Sequence, residues 1–356
     1  MRDFPALARF GGLIATDLRD VTTDPAALDS SGWWAVVADF EGDVVCARFG
    51  DVRAAGAADR PATDGWQGPA REDWGSSMDR AAYTAGVRRV REYIAAGEVY
   101  QVNLCRVLSA ALPDPARSDV DALSAVLAHG NPAPYAGTLR LPAHGVEVAT
   151  ASPELFLRRD GRTVESGPIK GTGRTAADLS AKDRAENVMI VDLVRNDLGR
   201  VCAAGTVTVP ALCAVEPHPG LVHLVSTVRG ELAEAHEKTA WADLLTATFP
   251  PGSVTGAPKS SALRIIDELE TAPRGPYCGG IGWVDADRRT GELNVGIRTF
   301  WIDRATPGGP VLRFGAGAGI IWDSEPEREW AETELKASRL LAIASGGHEV
   351  SGGRRR

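Results

Sequence analysis

Ser166-Gly167-Pro168-Ile169-Lys170-Gly171-Thr172 sets a primary amine in a short segment framed by two glycines and a proline. Pro168 removes a backbone donor and fixes one dihedral. Gly167 and Gly171 let the chain bend and approach a bound molecule closely. Residues 154–165 before it read as a strand. Residues 180–198 after it read as a helix, with Met189, Ile190 and Leu193 on the apolar face. A lysine in this setting can act as a nucleophile if its surroundings lower its pKa. The same residues also read as a turn carrying a solvated lysine, so the neighbouring segments decide.

Strands and helices alternate irregularly on both sides. Residues 1–50 contain Trp33-Trp34-Ala35-Val36-Val37 and Asp43-Val44-Val45-Cys46-Ala47, which predict short strands. Residues 51–78 are rich in Ala, Gly, Asp and Pro and read as a loose connection. From Met78 a helix is expected, with Tyr83, Val87, Val90 and Ile94 at helical spacing and Gly97 ending it. Strands are expected over 99–110, 135–141, 146–150, 205–209, 222–230, 278–285, 293–302 and 311–315, and helices over 241–249, 262–269 and 325–344. Residues 346–356 are rich in Gly, Ser and Arg and predict a disordered tail. The mixture defines an α+β chain with several antiparallel sheets.

With 356 residues and 44% apolar content, the chain can bury a large core as one domain or two packed ones. A net charge of −8 without a long basic run argues against nucleic acid or an anionic membrane as partner. A small anionic substrate stays possible, because a pocket need not follow the global charge. Cys46, Cys105, Cys202, Cys213 and Cys278 form no C-x-x-C pair and fit reduced thiols in a cytoplasmic protein. No signal-like start is present, and no apolar stretch reaches the roughly 18 residues that span a bilayer.

Two helices carry acids at one-turn spacing. Ser324 and Glu327 have the spacing of a capping box, and Glu329, Glu332 and Lys336 then share a face, with Trp330, Ala337 and Leu341 on another. Asp183 and Glu186 lie one turn apart on the earlier helix. Carboxylates brought together from two helices would repel unless a cation joined them, and hard oxygen ligands suit Mg2+. Two solvated acidic faces with ordinary salt bridges would look the same at this level.

Pro250-Pro251-Gly252-Ser253-Val254-Thr255-Gly256-Ala257-Pro258-Lys259 precedes a helix and can offer N–H groups, hydroxyls and a lysine to an anion. It lacks the order of a nucleotide P-loop. Gly315-Ala316-Gly317-Ala318-Gly319 permits close backbone approach or makes a tight turn. Arg298 suits a bidentate contact to a carboxylate or a structural ion pair.

Together these segments resemble the chorismate-utilising enzymes, which include anthranilate, isochorismate, salicylate and aminodeoxychorismate synthases. The resemblance covers residues 80–345. It rests on Gly97-Glu98-Val99-Tyr100-Gln101-Val102-Asn103-Leu104, Ser152-Pro153-Glu154-Leu155-Phe156, the lysine segment, residues 186–193 with Arg195-Asn196-Asp197, Val222-His223-Leu224-Val225-Ser226, the 252–259 loop and Glu329-Trp330-Ala331-Glu332-Thr333. It implies two α/β lobes with central antiparallel sheets and an active site in the cleft between them. The catalytic domain would be 80–345. Residues 1–75 would be a shortened N-terminal region, and 346–356 a tail. Asn131-Pro132-Ala133-Pro134-Tyr135 resembles one wall of a regulatory tryptophan pocket.

The resemblance also implies roles. Lys170 stands where aminodeoxychorismate synthases carry a nucleophilic lysine. Gln101 stands where water-using members carry a lysine base, and an amide does not titrate usefully, so ammonia is the expected nucleophile. Glu186, Glu329 and Glu332 would hold Mg2+ against the ring carboxylate of chorismate, with Asp183 in indirect support. Arg298, Tyr277 and the N–H groups around Gly317 and Gly319 would grip the other carboxylate, with Lys336 and Thr255 as further contacts. Glu154 would protonate the departing C4 hydroxyl, and His223 would stand near the ring. No amidotransferase segment is readable here, so a separate glutamine amidotransferase subunit is the expected ammonia source. Anthranilate synthase component I and a catalytically silent chorismate-binding subunit are the rival readings.

Overall fold

The computed structural model describes residues 4–346 apart from 62, 219 and 220. The expected tail therefore lies almost wholly outside the described residues. The strands are β1 (Leu7–Phe10), β2 (Leu13–Thr22), β3 (Trp33–Ala38), β4 (Val44–Ala54), β5 (Gly75–Ser76), β6 (Gln101–Ala111), β7 (Tyr135–Leu141), β8 (Val146–Ser152) and β9 (Leu155–Asp160). They continue as β10 (Thr163–Gly167), β11 (Ile169–Gly173), β12 (Thr208–His218), β13 (Leu221–Glu231), β14 (Gly256–Ala257), β15 (Gly280–Asp285), β16 (Thr290–Val295), β17 (Thr299–Asp303) and β18 (Val311–Ile320). The helices are α1 (Arg80–Ala95), α2 (Val120–Gly130), α3 (Ala181–Leu198), α4 (Ala240–Thr248), α5 (Lys259–Leu269) and α6 (Pro326–Ala344).

The strands pair antiparallel into one continuous ribbon. It starts at β12 and β13, with β11 and β10 both against β13, and passes through β9, β16, β15 and β3. It continues through β4, β2, β1, β7, β8, β17 and β18 to β6, which also carries β5 and β14. The middle is the most apolar part. All six residues of β3 are buried, as a strand flanked on both edges and covered on both faces requires. Two apolar cores form. The larger joins Trp34, Tyr83, Trp241 and Ile281, and the smaller joins Leu123, Phe300, Phe314 and Leu340 between α2, α6 and the β17–β18 hairpin.

Local sequence explains most boundaries. Asp79 accepts a hydrogen bond from Ala82 N and starts α1, and Gly97, at φ +77°, follows its last turn. Ser180 and Asp183 form a reciprocal capping box on α3. Of residues 51–78, expected to be a loose connection, 51–54 extend β4 and 75–76 form β5, while the described residues between them form only short 3-10 turns and irregular chain.

Several expectations change. Residues 154–165 are a hairpin rather than one strand, because Gly161 turns the chain at φ +60°. Residues 293–302 break at Arg298, which sits at φ +52°. Lys170 lies on a strand, not in a turn. Residues 315–319 continue β18 instead of turning, and the helix α2 was not anticipated. The buried face of α3 is Asn187, Ile190, Val191 and Leu198, while Met189 and Leu193 are only half-buried. Ser324 does not cap α6, whose cap position is Glu325 with Pro326 following. Ser324 is buried and accepts from Ile321 N, and Glu327 pairs with Arg80 at 2.7 Å.

Candidate active site

The two ends of the ribbon meet where Lys170 of β11 reaches the loop held against β6. Lys170 leaves β11 half-buried, and its Nζ donates to the Ser253 carbonyl at 2.9 Å. Ser253 belongs to the loop held against β6, so this bond joins the two ends. Desolvation pushes the Lys170 pKa below the ordinary lysine value, against the opposing charges of Glu186 and Glu154. Glu154 is buried between β8 and β9, anchored by Glu154 N to Ser152 Oγ at 3.2 Å and Val295 N to Glu154 O at 3.0 Å. Burial raises its pKa. A hydrogen bond with the Ser253 hydroxyl, the Lys170 charge and the Ile169 N–H oppose that rise. A carboxyl and an amine thus face each other, and burial favours the neutral form of each.

The 250–258 loop is stapled to β6. Asn103 N donates to Thr255 O and Tyr100 N to Ala257 O, each at 2.7 Å. The Val254 carbonyl accepts from Asn103 Nδ2 at 3.2 Å and from Arg274 at 2.8 Å. Gly256 has no alternative, since a Cβ there would lie 2.1 Å from the Gln101 carbonyl. Thr255 is fully buried, and its hydroxyl donates back to the Pro251 and Gly252 carbonyls at 3.1 and 3.2 Å. Lys259 turns away from the loop to Asp197 at 2.6 Å and is a structural ion pair rather than an anion donor.

The glycine-rich strand presents donors at an open edge. Cys105 N donates to Glu270 and Asn103 N to Thr255, so neither bonds to β18. The facing residues in register are Gly317 and Gly319. Antiparallel alternation then points the N–H and C=O groups of these two glycines away from β6. Consistently, Gly317 O accepts Lys336 Nζ at 3.0 Å. β17 pairs β18 only as far as Phe314, leaving this stretch of the edge uncovered. Glycine is needed here: Cβ atoms at Gly317 and Gly319 would lie 2.5 Å from Cys105 Sγ and 2.4 Å from Gln101 Nε2. Gln101 is itself buried, and its Oε1 has no hydrogen-bond partner. The Tyr277 ring packs over Gly315, and its hydroxyl lies 3.9 Å from Cys105 Sγ, where burial holds its pKa well above the phenol range. His223 is buried on β13, in register with Thr172 of β11.

Arg298 is half-buried and makes no ion pair among the described residues. Burial lowers its pKa, and the one charged neighbour that affects it is another cation, Arg339. A buried guanidinium without an internal carboxylate is suited to an anion.

The acids of α3 and α6 face each other across one ammonium. Lys182 Nζ lies 3.7 Å from Glu186 and 3.9 Å from Glu329, while Glu332 pairs with Lys336 at 2.7 Å. Desolvation raises the pKa of Glu186 and of Glu329, and Glu332 adds to both. Asp183 is committed to the helix cap. Among the described residues no three ligating groups already converge on one point. The donors are nonetheless hard oxygens around a position where a cation already stands, and they fit a small divalent ion.

Lys182, Ser253 and Arg274 were not singled out as site residues. Lys182 had a readable cue, four residues before Glu186. Ser253 and Arg274 act by meeting distant segments, which no local pattern reports.

Residues 41–342 match the model of the chorismate binding enzyme family, and the chain belongs to that family. It is 41% identical over 281 residues to aminodeoxychorismate synthase component 1 of Escherichia coli K12, covering 76% of this chain and 59% of that one. It is 42% identical over 297 residues to anthranilate synthase component 1 of Streptomyces coelicolor, covering 80% and 54%. The chain thus spans less than two thirds of the length of these relatives. Anthranilate synthase component I from Streptococcus pneumoniae shares the fold at a TM-score of 0.76 and 23% identity, with 96% and 93% covered. The menaquinone-specific isochorismate synthase of Escherichia coli shares it at 0.77 and 19%, with 97% and 89% covered. Among the described residues no helix is long and apolar enough to cross a membrane.

Proposed function

We propose that the chain is component I of a cytoplasmic aminodeoxychorismate synthase, aminating chorismate at C4 on the way to 4-aminobenzoate and folate. The observation that carries this reading is Lys170, held within a hydrogen bond of Ser253 beside the buried acid Glu154. Overall identity does not choose, since relatives named for either amination match equally well.

Arg298 and the open-edge N–H groups of Gly317 and Gly319 bind one carboxylate of the dianion. Tyr277, Thr255, Lys336 and His223 line the same site. Glu186, Glu329 and Glu332 would hold Mg2+, which supplies charge neutralisation at the ring carboxylate when bound. Neutral Lys170 attacks C2, the double bonds shift, and the C4 hydroxyl leaves as water with the Glu154 proton. The adduct ammonium returns a proton to Glu154. Ammonia then adds at C4, and the lysine leaves C2 as a neutral amine, taking that proton back from Glu154. Gln101 offers no base to activate water. A separate glutamine amidotransferase subunit supplies the ammonia.

Purified chain with chorismate, Mg2+ and an ammonium salt should yield aminodeoxychorismate, identified by mass, and Lys170→Ala should lose that product. Fluorescent anthranilate with pyruvate from the unmodified chain would assign it to anthranilate synthesis instead.

A further inference from the structure

Ser253 touches both reacting side chains with different atoms. Its main-chain carbonyl accepts Lys170 Nζ at 2.9 Å, and it lines one cavity with Glu154, where its hydroxyl opposes the rise that burial imposes on that carboxyl. The residue is buried and sits in the short 3-10 turn Gly252–Val254. That turn cannot drift. Its next carbonyl, Val254 O, is held by Asn103 and by Arg274. Arg274 is itself fixed in the core by Glu270 at 2.6 Å and by Asn103 O at 2.7 Å. Behind Glu154 lies a cavity of about 20 Å³, lined among others by Ser166, Asp197, Thr248 and Ser253. That is room for one water-sized molecule.

We propose that Ser253 is the positioning residue of the reaction, fixing the amine through its carbonyl and tuning the acid through its hydroxyl. The proposal rests on the reading of Glu154 as general acid. Before the C4–O bond breaks, the hydroxyl accepts from protonated Glu154 or donates to its second oxygen. Once the proton has gone to the leaving hydroxyl, the Ser253 O–H donates to the new carboxylate. No covalent bond to Ser253 forms or breaks. The charged groups around Glu154 are few: Lys170 from β11, and Asp197 of α3 across the cavity, paired to Lys259 of α5.

Removing only the hydroxyl leaves the carbonyl, and with it the lysine, in place. Ser253→Ala takes a donor from the carboxylate and so raises the Glu154 pKa. The limb on which chorismate consumption falls with rising pH should therefore move up by about one unit. The turnover should fall about 10- to 100-fold, the worth of a hydrogen bond to a charged group. Ser253→Thr should restore both, because it returns the hydroxyl. Thermal denaturation of each variant identifies a fold defect. A folded Ser253→Ala whose pH profile is superimposable on that of the unmodified chain would overturn the proposal, and so would Ser253→Thr failing to rescue. The assay follows chorismate loss, so an error about the product would leave this result readable. An error about Lys170 would show separately, as undiminished turnover in Lys170→Ala.

Discussion

At the scale of single residues, the site is built from groups that water would treat better. Burial lowers the Lys170 pKa and raises that of Glu154, and both shifts favour the uncharged forms that the proposed attack and departure would require. Arg298 carries the same logic without a partner. Replacing it should remove substrate contact without breaking an internal ion pair. Arg298→Gln should raise KM for chorismate about tenfold or more, with Tm unchanged or higher, and steady-state kinetics beside a thermal melt would check it. A sharply lowered Tm would mean that the guanidinium is structural after all. Lys170, Glu154 and Arg298 were legible because each stands in a distinctive local string. Ser253 was visible only as one small residue in a loop. Its role depends on β11, the turn before β9 and the loop meeting, and such contacts leave no periodicity. Lys259 misled for the same reason, since its Asp197 partner is 62 positions away.

At the scale of elements, α3 carries both a fold signal and one of the acids that face α6. Its capping box, Ser180 with Asp183, was not the one read from sequence. The box read there, Ser324 with Glu327, fails because Pro326 already fixes the first turn of α6 and Arg80 draws Glu327 aside. Ser180→Ala should cost about 1 kcal/mol of stability, read as a shifted urea midpoint at constant slope. A shift within error would mean the box is redundant. The strand of alternating glycines was harder to read. Glycine disfavours strands intrinsically, so the run suggested a turn. The facing side chains and Tyr277 impose glycine there by crowding, and β6 supplies the pairing that propensity withholds.

At the scale of the whole molecule, the chain is acidic, yet Lys170, Lys182 and Lys336 gather around Glu186 and Glu332. The global charge therefore says little about the local charge a small ligand would meet. Acidity also carries a stability term elsewhere. Asp39, in the β3–β4 turn, has its pKa raised to about 7 by burial first and by Glu41 and Asp43 next. At low pH the carboxyl is protonated folded or unfolded and costs nothing. As pH climbs from about 4 to about 7 the unfolded chain ionises first, so stability declines through that window. Asp39 is only half-buried, so partial solvation reduces the effect to about 1 kcal/mol. Asp39→Asn should melt higher than the unmodified chain at pH 8 and match it at pH 4. Equal melting temperatures at both would refute the assignment. The α+β class and most strands were readable. Their order in the ribbon was not, because pairings such as β3 with β15 join segments far apart in sequence.

A bracelet holds its clasp at its two loose tips, and this ribbon does the same. β11 and β13 bring the amine from one tip, β6 and β18 bring the glycine edge from the other, and the Lys170–Ser253 bond is where they fasten. Neither half of such a band can be expected to retain a diminished share of the chemistry. A lesion deep in the buried middle is transmitted to the fastening, because the distance between the tips is the sum of every strand in between.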